Sequence, residues 1–380
     1  MLRLLIVLTI VLIPLDILAC GMFFPSVTAS PTTMDTQRVL MVWKKDTIDV
    51  HVSVRANSEN ADFAWVLPVT DNPELSLGNI ATLDALDELT KPRIEIASEL
   101  TGSGPTESTF CGTKMAASGA ELGASGNSAP IDVESGTLGD YEYDIVKAET
   151  VEEMISWLEE DGYAIPEGTE ETLAPYVAAS MSFVWVKLSA AATAETLTDL
   201  QPLVFTIPRN VSSKTSFPLA LSAGSSTGVM STQLYTLSDK RYRVTNYPST
   251  DLQGVADRLW DLRFEFESYE EVIDTMTEEA GGRLMVTELA GDIRNMVDTH
   301  PAISELIDDD TYYLTRILAR TKPENLVDAT ITYANEAPDV SNLAISKAPD
   351  SEDKASLPFA VLCVLLGLIG WRRKRKPATT

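Results

Sequence analysis

The sequence is poor in the residues that build metal sites and nucleophilic active sites. Its 380 residues include 2 His and 3 Cys, which is too few for the usual zinc ligand sets. Basic residues are also scarce, with 29 Lys and Arg against 56 Asp and Glu. A nucleic-acid partner is disfavoured, because its phosphates would need a basic surface. No dinucleotide fingerprint or P-loop occurs, and we expect no resident cofactor.

The first 19 residues predict a secretory signal peptide. Arg3 provides the positive start, and the apolar run over residues 4–15 is too short to cross a bilayer comfortably. Cleavage after Ala19 would make Cys20 the first mature residue. Residues 17–20 also fit a lipobox, in which Cys20 would be diacylated, so processing with and without lipidation both stay open.

The other end of the chain predicts a membrane anchor. Residues 357–371 carry no charge and end in Trp371. The basic cluster that follows consists of Arg372, Arg373, Lys374, Arg375 and Lys376. As a helix the uncharged run spans about 22 Å, short of the roughly 30 Å hydrocarbon core, and the positive-inside rule places the basic tail in the cytoplasm. The pattern is also typical of the sorting tails of bacterial surface proteins, so retention and cleavage both stay open.

Between these two ends the chain is strongly acidic. Residues 21–356 hold 23 of the basic and 55 of the acidic residues, a net charge of -32. Such a surface repels nucleic acids and anionic lipids and attracts cations or cationic partners. We therefore expect an exported protein of the bacterial cell envelope with its body outside the cytoplasm. Its expected contacts are the membrane, through the C-terminal helix, and an envelope or extracellular protein or polysaccharide.

Hydrophobic patterning predicts an antiparallel, β-rich α+β ectodomain with several helices. Apolar residues alternate over 47–55, which indicates a strand with one wet face, and His51 lies on that face. The strands predicted elsewhere cover 39–43, 63–67, 141–146, 183–188, 203–207, 217–221, 229–237, 242–244, 312–319 and 327–333. Helices are predicted near 83–89, from Thr150 to Asp161, after Pro166, and over 269–276 and 283–297. Thr150 and Glu153 form a capping box.

Composition divides the chain into seven segments. They are a signal peptide (1–19), a β-rich subdomain (20–100), a Gly/Ser-rich linker or loop (101–139), an α+β subdomain (140–336), an acidic stalk (337–356), the transmembrane helix or sorting tail (357–371) and a basic tail (372–380). The linker contains Cys111, for which Cys20 is a candidate disulfide partner in an oxidising compartment. Lipidation of Cys20 would exclude that bridge.

Two motifs raise alternatives to a structural or binding role. Residues 224–228 match G-x-S-x-G, so a surface serine hydrolase using Ser226 and His300 is one alternative. The pentapeptide lies between two predicted strands, however, and His300 is expected at the end of a helix. Asp308–Asp310 suggest a Ca²⁺-dependent adhesion module, but the alternate acidic spacing and the Gly of a calcium loop are missing. We favour a non-enzymatic protein.

Five strings of residues also occur in a characteristic order. They are Cys-Gly-Met-Phe-Phe at 20–24, Asp-Phe-Ala-Trp-Val-Leu-Pro-Val at 62–69, Tyr-Asp-Ile-Val at 143–146, Trp-Leu with Gly-Tyr between 157 and 163, and Tyr-Leu-Thr-Arg-Ile-Leu-Ala-Arg at 313–320. With them the chain resembles the bacterial domain-of-unknown-function family 2330 over about residues 20–333. The resemblance implies a secreted or envelope-anchored protein and gives no activity, cofactor or catalytic residue to carry over. It favours cleavage by signal peptidase I and structural cysteines, although Met22 and Pro25 depart from the family pattern.

Overall fold

The computed structural model describes residues 16–17, 21–58, 62–70, 73–97, 132–188, 200–209, 214–261, 268–297, 300–334 and 336–347. Its strands are β1 (Asp16–Ile17), β2 (Met22–Pro25), β3 (Thr33–Trp43), β4 (Thr47–Asn57), β5 (Phe63–Val69), β6 (Glu74–Leu77), β7 (Arg93–Ile96), β8 (Asp132–Leu138), β9 (Tyr141–Lys147), β10 (Ser182–Leu188), β11 (Leu203–Pro208), β12 (Lys214–Phe217), β13 (Met230–Ser238), β14 (Tyr242–Val244), β15 (Ser249–Asp251), β16 (Met285–Asp292), β17 (Tyr313–Thr321), β18 (Ala329–Tyr333) and β19 (Leu343–Ser346). The helices are α1 (Ile80–Thr90), α2 (Val151–Glu160), α3 (Thr169–Ala178), α4 (Leu252–Asp261), α5 (Tyr269–Glu279) and α6 (Pro301–Ser304). Two 3₁₀ helices cover Leu219–Ser225 and Pro323–Asn325.

An eight-stranded sheet forms the centre of the molecule. Its strand order is β15-β16-β17-β13-β3-β4-β11-β6, and it is antiparallel except for the pairs β15–β16 and β13–β3. The predicted hairpin is confirmed, because β3 and β4 pair antiparallel and the Lys44 N–H donates to the Thr47 carbonyl at 3.0 Å. The mainly antiparallel α+β fold expected from the sequence is thus confirmed at the level of its class.

Two smaller sheets pack against one face of this large sheet. One has the order β2-β5-β10-β9-β8 and the other β1-β12-β18-β14. Strand β5 is an inner strand of its sheet, between β2 and β10, and all seven of its residues are buried. Trp65 and Leu67 point into the core shared with the large sheet, whereas Ala64 and Val66 point to the opposite side. Burial on both faces explains why this strand is continuously apolar rather than alternating.

Helices cover the outer faces, which produces four layers. Helices α2 and α3 pack on the five-stranded sheet through Leu158, Leu173 and other apolar residues. On the far side, α1 and α6 cover the large sheet through residues such as Leu86 and Ile303, and α4 and α5 extend that layer. The predicted capping box is confirmed, since the Glu153 N–H donates to Thr150 Oγ1 at 3.2 Å while the Glu153 carboxylate accepts from the Thr150 N–H.

The prediction of a helix over residues 283–297 is wrong, because this stretch contains strand β16. Gly281 and Gly282 both have positive φ, +82° and +86°, and reverse the chain after α5. The next residues then join the sheet between β15 and β17, with six consecutive buried positions. An apolar run that is buried on both faces has no period that separates a strand from a helix, which explains the error.

One predicted strand also needs correction, and one helix was missed. The strand predicted over residues 217–221 ends at Phe217, where Pro218 precedes the 3₁₀ helix. Helix α4 was not predicted at all. It buries Leu252, Val255 and Ala256, and Leu259 packs partly against the same layer, a spacing of apolar residues that is typical of an amphipathic helix.

The sheets also join segments that composition had separated. Strands from residues 20–100 and from 140–336 share both the five-stranded and the eight-stranded sheet, so these ranges do not form separate subdomains. Strand β8 lies inside the predicted linker, and β19 lies inside the predicted stalk. Asp16–Ile17, inside the predicted signal peptide, pair in parallel with β12. Cleavage after Ala19 would remove that pairing.

The described part of the chain contains no helix that is both long and apolar enough to span a membrane. The anchor predicted at 357–371 lies outside the described residues.

Candidate functional site

Four of the five strings that characterise the sequence meet in the five-stranded sheet. Strand β2 pairs with β5, so that Phe23 lies opposite Trp65. Strand β10 joins β5 to β9, which carries the Tyr-Asp-Ile-Val string. Helix α2, which carries Trp157, packs on the outer face of this sheet. The fifth string forms β17 in the large sheet. Residues far apart in the sequence therefore build one local structure.

An aromatic cluster forms the centre of this structure. Trp185 is 1% exposed, and three rings surround it. Its ring centroid lies 4.7 Å from that of Tyr163, 5.2 Å from that of Trp157 and 5.7 Å from that of Phe24. The first two pairs are edge-to-face, the arrangement that aromatic quadrupoles favour. The cluster fixes the turn at Gly162 and Tyr163 against the sheet.

A polar groove lies beside this cluster, where α2 and α3 leave the sheet uncovered. Its volume is about 330 Å³, and its lining consists of Ser135, Gly136, Thr137, Glu142, Tyr143, Asp144 and Lys187. Strand alternation places Ser135, Glu142, Asp144 and Lys187 on the same face as Trp185. Ser135 Oγ donates to Asp144 Oδ1 at 2.6 Å. The groove thus presents hydroxyl, carboxylate and ammonium groups together.

Lys187 links the groove to the aromatic cluster. Its ammonium forms an ion pair with Asp161 at the end of α2 and lies 5.4 Å from the centroid of the Tyr163 ring. Burial raises the pKa of Tyr163, and the negative charges of Asp161 and Asp62 raise that pKa further. The Tyr163 hydroxyl therefore stays protonated at neutral pH and remains a hydrogen-bond donor.

This arrangement suits the binding of a polar ligand with many hydroxyl groups. Carboxylates accept hydrogen bonds from hydroxyls, and a hydroxyl or an ammonium group donates to them. Hydrogen bonds in which one partner is charged are the stronger ones. The groove and its neighbouring rings offer both kinds of partner within one surface.

A second polar cluster is buried between the large sheet and helices α1 and α5. Arg316 and Glu288 are 8% and 1% exposed, and Arg316 Nε donates to Glu288 Oε2 at 2.7 Å. Arg316 Nη1 donates to the Tyr235 hydroxyl at 3.0 Å, and that hydroxyl donates to Asp87. The Tyr269 hydroxyl donates to the other Glu288 oxygen at 2.8 Å. Sequence reasoning missed this cluster, although Arg316 lies within one of the five strings.

The charges of this second cluster extend towards the surface through Asp87. Arg38 Nη1 lies 3.2 Å from Asp87 Oδ2 and 2.6 Å from Asp84 Oδ1. Burial raises the pKa of Tyr235, with Asp87 acting in the same direction and Arg316 opposing. The buried groups bind one another, so the cluster holds α1 and α5 to the sheet.

The structure separates Ser226 and His300. Ser226 follows the 3₁₀ helix on the inner face of the large sheet, and its hydroxyl donates to the Gly228 carbonyl at 3.1 Å. His300 precedes α6 on the outer face, beside Val297 and Ile303. The expectation that His300 ends a helix is wrong, because it is the residue that precedes α6. The strand-to-helix turn of a nucleophile elbow is not formed here either.

Asp308 uses its carboxylate within its own turn. Asp308 Oδ1 accepts from the Asp310 N–H at 2.7 Å and from Thr311 Oγ1 at 2.8 Å. The Thr311 hydrogen bond lowers the pKa of Asp308, although its slight burial opposes the shift. Across the residues that the structure describes, no group of three or more His, Cys, Asp or Glu side chains is placed to hold a metal ion.

His51 is half-buried rather than on a wet face. The outer face of the large sheet, which includes β4, is covered in part by α1, a contact that strand alternation cannot reveal. Burial lowers the pKa of His51 to about 4; Asp49 opposes this shift and Lys44 adds to it. His51 is therefore neutral at physiological pH.

Several predicted site residues lie outside the described part of the chain. They are Cys20, Cys111, Trp371, Arg372, Arg373, Lys374, Arg375 and Lys376. The disulfide, the lipidation of Cys20 and the membrane-tail anchors therefore stay predictions. Among the residues that line the groove, Tyr143 and Asp144 belong to one of the five strings. The sequence did not connect them with Ser135 or Lys187, because only strand register brings these residues together.

Comparison with models of protein families gives a match over most of the chain. The model of a family described as uncharacterised proteins conserved in bacteria, domain of unknown function 2330, matches residues 15–332. No curated protein and no solved structure matches the chain.

Proposed function

Since the chain belongs to the domain-of-unknown-function family 2330 of uncharacterised bacterial proteins, we propose that it is an exported, membrane-anchored protein of the cell envelope with a binding role. Its body would lie outside the cytoplasm and bind an envelope polysaccharide in the polar groove of the five-stranded sheet. Residues 357–371 would anchor it, with residues 372–376 on the cytoplasmic side.

The contrast between the body and its two ends supports export and anchoring. A body of net charge -32 lies between an N-terminal apolar run and a C-terminal apolar run, and five cations follow the second run directly. Such a cluster holds its end of a membrane segment in the cytoplasm. An acidic body is then compatible with the outer side, where it remains soluble.

The groove carries the proposal of a binding role. Glu142, Asp144 and Ser135 form a hydrogen-bonding surface beside Lys187 and Tyr163. Polysaccharides present hydroxyl groups in fixed pairs, which a rigid sheet face can match with carboxylate acceptors. By contrast, Ser226 and His300 lie on opposite faces of the large sheet, so a binding role is better supported than the hydrolase alternative.

Co-sedimentation with purified peptidoglycan sacculi tests the binding role. We expect the wild-type protein to pellet with the sacculi, and Asp144→Asn and Glu142→Gln to weaken binding, because each removes a charged acceptor from the groove. Glu134→Gln is the matched control, since Glu134 lies on β8 with its side chain on the opposite face. No pelleting, or equal pelleting of Asp144→Asn and wild type, would contradict the proposal.

The intact mass of the protein recovered from membranes tests export and anchoring. One outcome is the mass of a chain that starts at an unmodified Cys20, includes the basic tail and lacks two hydrogens. This result means an anchored ectodomain closed by a disulfide. An added diacylglycerol means a lipoprotein with Cys111 outside that bridge. Loss of the residues beyond 357 means a sorted surface protein, and a chain that retains residues 1–19 would contradict export by signal cleavage.

A further inference from the structure

The polar groove carries more negative than positive charge. Its lining holds two carboxylates and one cation, Glu142 and Asp144 against Lys187. In the strand register Lys187 lies opposite Glu142, but its ammonium forms an ion pair with Asp161 instead. The charge of Lys187 is therefore already balanced from outside the lining, and the two carboxylates of the groove remain in excess.

The neighbouring parts of the chain are acidic as well. Helix α2, which packs on the same face of the sheet, contains four Glu and no Lys or Arg. The segment that precedes β8, residues 98–131, has three Glu and one Lys, and the segment that follows β10, residues 189–199, has one Glu and one Asp. The flanking sequence thus adds negative charge to that of the groove.

Tyr163 lies within this negative field. Burial raises the pKa of its hydroxyl, and the charges of Asp161, Asp62 and Asp144 raise that pKa further. The three carboxylates come from different places in the fold: the end of α2, the start of β5 and the middle of β9. A cationic group of a ligand would be attracted to the place where their fields add.

The groups around the groove suit an organic cation better than a metal ion. Among the residues that the structure describes, no three His, Cys, Asp or Glu side chains are placed around one metal position. Ser135 and Thr137 lie on the same face as Glu142 and Asp144, so hydroxyl groups accompany the negative charges. The two carboxylates are two residues apart on one strand, which sets their Cα atoms about 7 Å apart. The groove thus matches a ligand that carries both hydroxyl and amino groups.

We propose that the groove recognises a polysaccharide with free amino groups, a polymer of N-deacetylated amino sugars. Its ammonium groups pair with Glu142 and Asp144, and its hydroxyl groups bond to Ser135 and Thr137. Acetylation of the amines would leave the carboxylates with neutral donors only, which form weaker hydrogen bonds than ammonium groups do. The inference rests on the proposed binding role and names the class of polysaccharide.

Two hexasaccharides test the need for an amino group. The hexamers of glucosamine and of N-acetylglucosamine share their rings and linkages and differ in the charge on nitrogen. Each is titrated calorimetrically into the full-length protein in detergent, at mildly acidic pH, where the amines are protonated and exposed carboxylates stay ionised. We expect the glucosamine hexamer to bind roughly tenfold more tightly or better, with an affinity that falls as salt is added.

Matched variants locate the binding. Glu142→Gln and Asp144→Asn should each lower the affinity for the glucosamine hexamer severalfold, and more than the affinity for the acetylated one. Glu134→Gln makes the same change of net charge on the opposite face of the sheet and should alter neither. Equal affinities of the two hexamers would overturn the inference. So would an equal loss in Glu134→Gln and Asp144→Asn, or hexalysine that binds as tightly as the glucosamine hexamer, because either result means attraction of any polycation to an acidic body.

Pelleting with sacculi separates failure of this inference from failure of the binding role. If the hexamers bind equally while pelleting still depends on Asp144, the need for an amino group is overturned and the binding role stands. If neither hexamer binds and the protein does not pellet, both proposals fail.

Discussion

The buried pair of Arg316 and Glu288 allows a quantitative test of how the outer helical layer is held. Replacing Arg316 by Met keeps most of the side-chain volume but removes the cation. It leaves the carboxylate of Glu288, 1% exposed, with the Tyr269 hydroxyl as its donor. Removing one partner of a buried ion pair typically costs about 3–5 kcal/mol. Because a domain has roughly 5–15 kcal/mol of stability in all, the variant would lose a large share of it.

Urea denaturation followed by tryptophan fluorescence would measure this loss. Arg38→Met is the matched control, since Arg38 pairs with Asp84 and Asp87, whose side chains are 62% and 35% exposed. Such surface ion pairs are worth about 0–1 kcal/mol. We therefore expect the free energy of unfolding to fall slightly in Arg38→Met and several times more in Arg316→Met.

The double variant Arg316→Met/Glu288→Leu decides whether an unpaired buried charge is the cause. With both charges replaced by apolar groups no carboxylate is stranded, so the double variant should be more stable than Arg316→Met alone. The reasoning is refuted if Glu288→Leu lowers the stability of the Arg316→Met variant as much as it lowers that of the wild type. Equal losses for Arg316→Met and Arg38→Met would refute it as well.

Three further predictions can be checked by the same denaturation assay. Thr150→Ala should cost about 1 kcal/mol, because it removes the side-chain cap of α2; an unchanged midpoint would show that tertiary packing alone holds this end of the helix. Gly21→Ala should cost about 1–3 kcal/mol, since a Cβ there would lie 2.0 Å from Trp65 Nε1, whereas Gly228→Ala, with nothing within 4 Å, should be nearly neutral. His51 has a pKa of about 4 in the fold against 6.5 ordinarily, so the unfolded chain takes up the proton first. Stability should therefore fall between pH 6.5 and about 4, by up to about 3 kcal/mol. His51→Gln should flatten that part of the profile, and identical pH profiles would count against the assigned shift.

Local rules were sufficient where neighbouring residues along the chain decide the structure. The capping box of Thr150 and Glu153 depends on a spacing of three residues, and the β3–β4 hairpin depends on alternation and a short connection. The ends of α2 and β4 were predicted to within one or two residues, whereas β3 begins at Thr33, six residues before the predicted start. The same holds for the general class, since many short alternating segments with few long helical patterns favour an antiparallel α+β fold.

Local rules failed where a contact from far along the chain decides the structure. Residues 285–292 form a strand because two sheet neighbours supply their hydrogen bonds, not because their own pattern differs from that of a helix. Residues 343–346 lie in a segment, 337–356, whose overall composition predicted a solvated stalk, but β7 and Gln253 bind them. His51 follows the alternation of its strand, and yet it is half-buried, with Gly78, just before α1, lying close to its imidazole ring.

The sequence by itself determined the acidic body, the apolar ends with their basic tail, the class of the fold and the strings that identify the family. These properties are sums or short-range patterns, and they do not depend on how the chain returns on itself. Only the tertiary structure decided that Lys187 lies beside Asp161 and Tyr163, that Arg316 meets Glu288 inside the protein, and that β19 pairs with β7. Each of these contacts joins residues whose proximity is set by strand register and layer packing, which a linear pattern does not encode.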